Sequence, residues 1–275
     1  MAVSLVFMVA ASNSNLDAFA LGDKPVTEFA NKIAIVTGAA RGLGEAIAVN
    51  LYENGARVVL ADINAERAQE VARRLDSSGK RTHVIETDVS DHRAVEAMVA
   101  ETVERFGGLN LAVNNAGFTG PHGISTADYE IEWWHRVIAT NLNGIFFGLK
   151  YEIPAMIQSG GGAIVNMSSA AGAVGVAGIA PYVTAKHGII GLTKAAALEY
   201  ANQGIRVNAI GPGYVDTPQM QELPESARKQ MADLHPLGRL ARTEEVADMV
   251  SFLLSEQASF VTGSFHLIDG GYTAV

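Results

Sequence analysis

The chain contains no cysteine in 275 residues. A disulfide framework and a thiol nucleophile are therefore excluded. Its seven histidines fall in no HExxH or other metal-ligand spacing, so no metal is expected. Positive charge is scarce. Lys and Arg total 20 against 29 Asp and Glu, a net charge of -9. There is no basic block, and a nucleic-acid partner is not expected. Long apolar runs are also missing. Ala2 to Ala11 is apolar but far too short to span a bilayer as a helix, so no membrane partner is expected. No Lys or Arg precedes it, so the charged start of a signal peptide is lacking. What remains is a chain with 48% hydrophobic residues, long enough to bury one large core.

Strand and helix patterns alternate along most of the chain. Apolar, β-branched runs read as strands at Ile33–Val36, Arg57–Ala61, His83–Glu86, Leu109–Val113, Ala163–Met167, Ile205–Ile210 and Ser264–Ile268. Between them, helices are predicted over Glu45–Asn54, Glu66–Leu75, Asp91–Phe106, Trp133–Met156, Tyr182–Ala201 and Glu244–Leu254. The long fourth helix is expected to break near Gly144. This alternation predicts an α/β fold: one doubly wound, Rossmann-type domain with a seven-stranded parallel sheet flanked by helices. Ligands in such a fold lie beyond the carboxyl ends of the strands. Gly38, Asp62, Asp88, Asn114, Ser169 and Pro212 follow the first six strands in turn.

Two local patterns carry chemistry. Thr37-Gly38-Ala39-Ala40-Arg41-Gly42-Leu43-Gly44 joins the first strand to the first helix. Glycines there permit a tight turn and let backbone approach a pyrophosphate at a helix N-terminus. The spacing is not GxGxxG, since three residues separate the first two glycines. Downstream, Tyr182 and Lys186 stand four apart on a helix, on one face. A phenol titrates near about 10 in water, and a neighbouring ammonium favours the phenolate. Ser169, thirteen residues before the tyrosine, supplies a hydroxyl from another element. Together they form a device for moving a proton on or off a C–O bond.

These segments, with Asp88-Val89, Asn114-Asn115-Ala116-Gly117, Asn141 and Pro212-Gly213, occur in the order and spacing of one family. The chain resembles a short-chain dehydrogenase/reductase from about residue 31 onward. The resemblance implies hydride transfer between a nicotinamide and a secondary alcohol or ketone. It assigns Tyr182 as acid–base, Lys186 as the group lowering its pKa, Ser169 as the substrate-oxygen partner and Asn141 as part of a water relay. Ser168 competes with Ser169; the spacing selects Ser169 and leaves Ser168 a cofactor-side or turn hydroxyl. Cofactor contacts are implied for Gly38, Arg41, Gly42, Leu43, Gly44, Asp62, Asp88, Val89, Asn115, Pro212, Gly213, Val215 and Thr217, besides Tyr182 and Lys186. Asp88 alternatively caps the following turn.

Asp62 decides between cofactors. A carboxylate there accepts bonds from ribose hydroxyls and repels a 2′-phosphate; its alternative is to cap the helix beginning near Asn64. Arg41 pulls toward NADP. The reading favours NAD, with NADP as the alternative. Residues 214–237, with three prolines, are expected to form a substrate lid. Local runs in the chain are similar to members acting on cyclic or hydrophobic secondary alcohols. An NADPH-dependent acyl-carrier ketoreductase is the competing reading, and an inactive redox-sensing relative a remote one.

Residues 1–30 form an N-terminal extension that such enzymes lack, expected to pack on the domain or to be flexible, with a cleaved signal as the alternative. Nicotinamide chemistry without cysteine points to the cytoplasm. The helix from Tyr182 to Ala201 is apolar on more than one side, which predicts burial on both. The resemblance implies a homotetramer, with Val246–Leu254 and Phe265–Ile268 forming its second contact and a dimer as the alternative.

Overall fold

The computed structural model describes residues 28–274. Residues 1–27, and with them most of the expected extension and its signal-peptide alternative, lie outside the described residues. The strands are β1 (Ile33–Thr37), β2 (Arg57–Asp62), β3 (Thr82–Glu86), β4 (Leu111–Asn114), β5 (Gly162–Met167), β6 (Ile205–Pro212) and β7 (Phe265–Ile268). They form one sheet in the order β3-β2-β1-β4-β5-β6-β7, every pair parallel. Strand order reverses between β1 and β4, β2 and β3 lying to one side and β5 to β7 to the other; Val36 and Val113 are register partners across that parallel pair. That crevice is the topological switch point where such sheets bind ligands.

Alternation along the strands sorts side chains into two cores. Ala34 and Val36, Val58 and Leu60, and Ala163 and Val165 face one. Ile35, Val59, Ala61 and Ile164 face the other. The first core is covered by helices α1 (Gly42–Glu53), α2 (Ala65–Leu75) and a helix near the C-terminus, Thr243–Leu254. The second is covered by α3 (His92–Phe106) and by helices over Gly144–Gln158 and Ala180–Tyr200. A sheet buried on both faces explains the nearly continuous apolar strands. Phe29 is 2% exposed and joins the first core.

Local chemistry sets the helix ends. Asn64 caps α2 by accepting from the Arg67 N–H at 3.0 Å. Asp91 caps α3, which stops at the left-handed Gly107. The predicted helix over Trp133–Met156 is interrupted as expected, through an unexpected device. It runs as α4 (Ile131–Ile138), a π-helical turn at Ala139–Asn143 and α5 (Gly144–Gln158). The Asn141 amide donates to the Val137 and Phe118 carbonyls, both at 2.9 Å, tying the widened turn to the loop after β4. π-turns of this kind gather at functional sites.

The next helix, α6 (Ala180–Tyr200), begins with Pro181 in its first turn. The segment expected as a lid holds two short helices, α7 (Pro218–Gln221) and α8 (Glu225–Asp233). The last helix, α9 (Thr243–Leu254), ends against Arg206 of β6. That guanidinium donates to the Leu253, Leu254 and Ser255 carbonyls, a cation at the negative end of a helix. Among the described residues, no helix is long and apolar enough to cross a membrane.

Candidate active site

The turn after β1 is built around glycine. Gly38 and Gly42 adopt positive φ, 67° and 60°. A Cβ on Gly44 would fall 2.0 Å from the Gly38 carbonyl oxygen, so no other residue fits. The turn is tethered from β4. The Asn115 side-chain amide donates to the Thr37 carbonyl at 2.8 Å and the Gly38 carbonyl at 3.3 Å. Thr37 Oγ1 accepts from the Asn115 and Ala116 backbone N–H groups. Asn115, expected to contact cofactor, therefore spends its amide on holding the glycine turn. Leu43 lies in the first turn of α1, and Arg41 precedes the helix, exposed and making no cap. Thr217 meets this turn from the far side: a Cβ on Gly42 would lie 3.6 Å from its methyl group.

Asp62 ends β2. Its two oxygens accept from the Ala40 and Asn64 N–H groups, each at 2.9 Å. The carboxylate therefore locks the glycine turn to the start of α2, while Asn64, not Asp62, caps that helix. Beside it opens a cleft of about 420 Å³, lined by residues that include Ala40, Glu45, Arg67 and Arg74. Arg74 is paired with Glu45. None of the four catalytic candidates lines this cleft. A glycine turn opening onto a helix N-terminus, with a carboxylate at the end of the second strand, fits a dinucleotide.

Two expected cofactor contacts, Asp88 and Val89, turn out to be engaged locally. Asp88 Oδ1 accepts from the Ser90 N–H at 2.9 Å and its hydroxyl at 2.7 Å, so the capping alternative holds for that oxygen. Val89 is buried and packs where a Cβ on Gly144 would intrude, 3.0 Å from its methyl group. The β6 end behaves similarly. Pro212 closes the strand, the Gly213 N–H donates to the Ile268 carbonyl at 3.0 Å, and Val215 is buried and bridges Ala241.

Tertiary structure brings Asn141, Ser169, Tyr182 and Lys186 together. Ser169 follows β5 and its hydroxyl faces the Tyr182 phenol, opposing the rise in its pKa. Lys186 is buried, and its Nζ lies 5.3 Å from the Tyr182 ring centroid. A Cβ on Gly117 would sit 2.5 Å from Asn141 Oδ1 and 3.8 Å from Lys186 Nζ. Gly117 is thus the spacer that lets the asparagine and lysine approach. Asn141 is wholly buried, and its Oδ1 has no partner among the described residues.

One expectation is corrected here. Lys186 does not hold the Tyr182 phenol below its ordinary value. Burial pushes the phenol up, and the nearby Tyr214 phenol adds to the rise. Burial also lowers Lys186 to about 7. Desolvation disfavours the charged form of each. Ser168 is corrected as well. Its hydroxyl donates to the Lys186 carbonyl at 2.8 Å, so it is a buried strand-to-helix tether. Three contributors carried no strong sequence signal: Gly117 as spacer, Thr37 as anchor and Tyr214 as a phenol acting on Tyr182. Thr37 and Gly117 lay inside recognised motifs; Tyr214 was marked only by following Pro212-Gly213.

Comparison with known proteins agrees with this geometry. A family model described as Enoyl-(Acyl carrier protein) reductase matches residues 38–273. The chain is 48% identical to a cyclohexanol dehydrogenase of Acinetobacter sp. (strain SE19), over 90% of this chain and 97% of that one. It is 47% identical to a cis-4-hydroxycyclohexanecarboxylate dehydrogenase of Sinomonas cyclohexanicum, over 90% and 98%. It is 40% identical to a 2,5-dichloro-2,5-cyclohexadiene-1,4-diol dehydrogenase of Sphingobium indicum, over 91% and 100%. The chain belongs to the short-chain dehydrogenase/reductase family, NAD(P)-dependent oxidoreductases acting on CH–OH groups.

Proposed function

We propose that this enzyme is an NAD(H)-dependent dehydrogenase of cyclic or otherwise hydrophobic secondary alcohols, working reversibly on the matching ketones. The observation that carries the reading is the Ser169 hydroxyl facing the Tyr182 phenol, with Lys186 one helical turn behind. A bound nicotinamide supplies the hydride chemistry. Gly38 to Gly44 and the N-terminus of α1 would hold its pyrophosphate, Asp62 its adenosine ribose, and Lys186 its other ribose, with Val215 and Thr217 beyond β6 as further contacts. Ser169 donates to the substrate oxygen and stabilises charge there. Tyr182 gives a proton to that oxygen in reduction and takes it in oxidation. A phenol kept protonated by burial is ready to donate. Lys186 and Asn141 pass the proton on toward solvent through water.

Substrate class follows from the cyclic substrates named for the three relatives and from the absence of an arginine cluster in the lid sequence. NAD over NADP rests on Asp62, whose charge opposes a 2′-phosphate. The exposed Arg41 favours the second reading, an NADPH-dependent ketoreductase of the acyl-carrier type. Assembly as a homotetramer is supported by apolar surface on two faces. Phe146 of α5 and Leu198 of α6 are 49% and 85% exposed, and Phe252 of α9 and Leu267 of β7 are exposed too. A cytoplasmic location suits nicotinamide chemistry in a chain without cysteine.

Initial rates with NAD and NADP across secondary alcohols, ketones and an acyl-carrier thioester test the reading. Higher kcat/KM with NAD on cyclic alcohols supports it. Preference for NADPH and the thioester selects the competitor, and no turnover with bound NADH sinks both.

A further inference from the structure

Three separate segments converge on one imidazole. His235 lies just past α8, is 3% exposed, and engages both ring nitrogens. Its Nε2 accepts from the Tyr214 backbone N–H at 3.1 Å, and its Nδ1 donates to the Met231 carbonyl at 2.9 Å. A backbone N–H only donates and a carbonyl only accepts, so the proton sits on Nδ1. Gly213 makes room for the ring: a Cβ there would lie 2.5 Å from His235 Nε2.

The ring is also packed by aromatics. Tyr214 meets it edge-on, centroids 5.8 Å apart at 84°. Tyr272, from the C-terminal turn, lies 5.7 Å from His235 and 6.2 Å from Tyr214. That turn is held by Asp269, whose carboxylate accepts from the Gly271 and Thr273 N–H groups. It is tied to the lid exit by the Leu237 N–H donating to the Gly270 carbonyl at 3.2 Å. Lid, hinge and C-terminal turn therefore share one anchor.

That anchor fixes the position of the Tyr214 phenol. Tyr214 is half-buried and near enough to Tyr182 for the two phenols to repel when charged. Three residues earlier, a Cβ on Gly211 would lie 3.0 Å from the Ser169 carbonyl oxygen, so the end of β6 is packed on the serine segment. Burial and Tyr272 both raise the Tyr214 pKa. The group is a neutral phenol, able to donate and to accept.

We propose that Tyr214 is a specificity-determining residue whose hydroxyl takes a second oxygen substituent of the substrate, a hydroxyl or a carbonyl, with His235 and Tyr272 as its positioning residues. This rests on the reading of the enzyme as a secondary-alcohol dehydrogenase. A single neutral hydrogen bond made to one substrate and not to another changes their relative kcat/KM by about tenfold.

The test compares cyclohexanol with the 1,2-, 1,3- and 1,4-cyclohexanediols, using the full-length enzyme and NAD. The readout is the ratio of kcat/KM for the best diol to that for cyclohexanol. Tyr214→Phe is expected to lower that ratio about tenfold. His235→Ala is expected to lower it in the same direction, since the phenol loses its anchor; Tyr272→Ala serves where that variant does not fold. A ratio within twofold of wild type in Tyr214→Phe overturns the specificity role. A shift in Tyr214→Phe but in neither positioning variant overturns the anchor. Wild-type enzyme that oxidises none of these alcohols refutes the underlying reading, and this inference with it.

Discussion

Lys186 Nζ donates to the Met167 carbonyl oxygen at 2.7 Å. The lysine of the candidate pair is thus anchored to the end of β5 and removed from water. Its folded pKa of about 7 lies below the ordinary lysine value. A depressed folded pKa means stability that is present above the unfolded pKa and lost as pH falls through the folded one. Over roughly pH 10.5 to 7 the folded chain therefore loses stability, on the order of 5 kcal/mol in full. Lys186→Met removes that penalty. It should melt higher than wild type near pH 6, with the gain shrinking above pH 10, while kcat drops at least about 10²-fold. Thermal melts across pH check the first part and initial rates the second.

Tyr182→Phe keeps the ring and removes the proton carrier. kcat should drop at least about 10²-fold while cofactor affinity holds, read by titration of NADH fluorescence. Because burial raises the phenol, wild-type alcohol oxidation should speed up as pH rises toward the alkaline range. The residual activity of Tyr182→Phe should lose that slope. A parallel slope in both proteins would move the base elsewhere.

Asp62 serves two masters, the glycine turn and α2, through Ala40 and Asn64. Asp62→Ala should raise KM for NAD and shift kcat/KM toward NADP by about 10- to 100-fold, a change of roughly 1.4–2.8 kcal/mol. It should also lower stability by about 1–2 kcal/mol, because two backbone donors lose partners. Wild-type preference for NADP would show that the carboxylate is only a tether.

Glu152 is fully buried in α5. Asn114 donates to its Oε2 at 3.0 Å, and Asn114 in turn bonds Asn166, which donates to Thr193. Oε1 has no partner among the described residues. Burial raises its pKa to about 7. A raised folded pKa gives stability that is full below the unfolded value and lost as pH rises through the folded one. Between about pH 4.5 and 7 the loss is on the order of 3 kcal/mol. Glu152→Gln keeps the acceptor without the charge. In urea it should be more stable than wild type at pH 8.5 and similar at pH 5.

Leu198 and Phe146 project from neighbouring helices into solvent in the single chain. Leu198→Asp places a charge where the proposed partner helix packs. Light scattering at micromolar concentration should show a tetramer for wild type and a smaller species for the variant. A stable, active wild-type monomer would refute both proposed faces.

Much of the site was legible because its determinants are short-range. The apolar β1 run and the glycine turn follow from a few neighbouring residues, as do Asn64 before α2, Gly107 after α3, and the Tyr182–Lys186 spacing. Each carries its own conformational preference or fixed periodicity. Boundaries slipped where a distant contact set them. β4 begins at Leu111 rather than Leu109, whose N–H is taken by Ser159 Oγ at 3.0 Å. The break in the fourth predicted helix was visible, but not that Asn141 makes it.

Taken alone, the chain determined an alternating α/β order, a glycine turn at the first strand and a serine, tyrosine and lysine in register. The first two are set by neighbouring residues and recorded in hydrophobic and glycine spacing; the serine joins the tyrosine and lysine by a spacing of thirteen residues. Tertiary structure decided which groups lose water and which meet across the sheet. It buried Lys186, withdrew Tyr182 from most of the solvent, and set Gly117 between lysine and asparagine. It also gave Asp62 two backbone partners and gathered Tyr214, His235 and Tyr272 from positions up to 58 residues apart. Burial and long-range proximity are properties of the packed chain, and no local pattern encodes them.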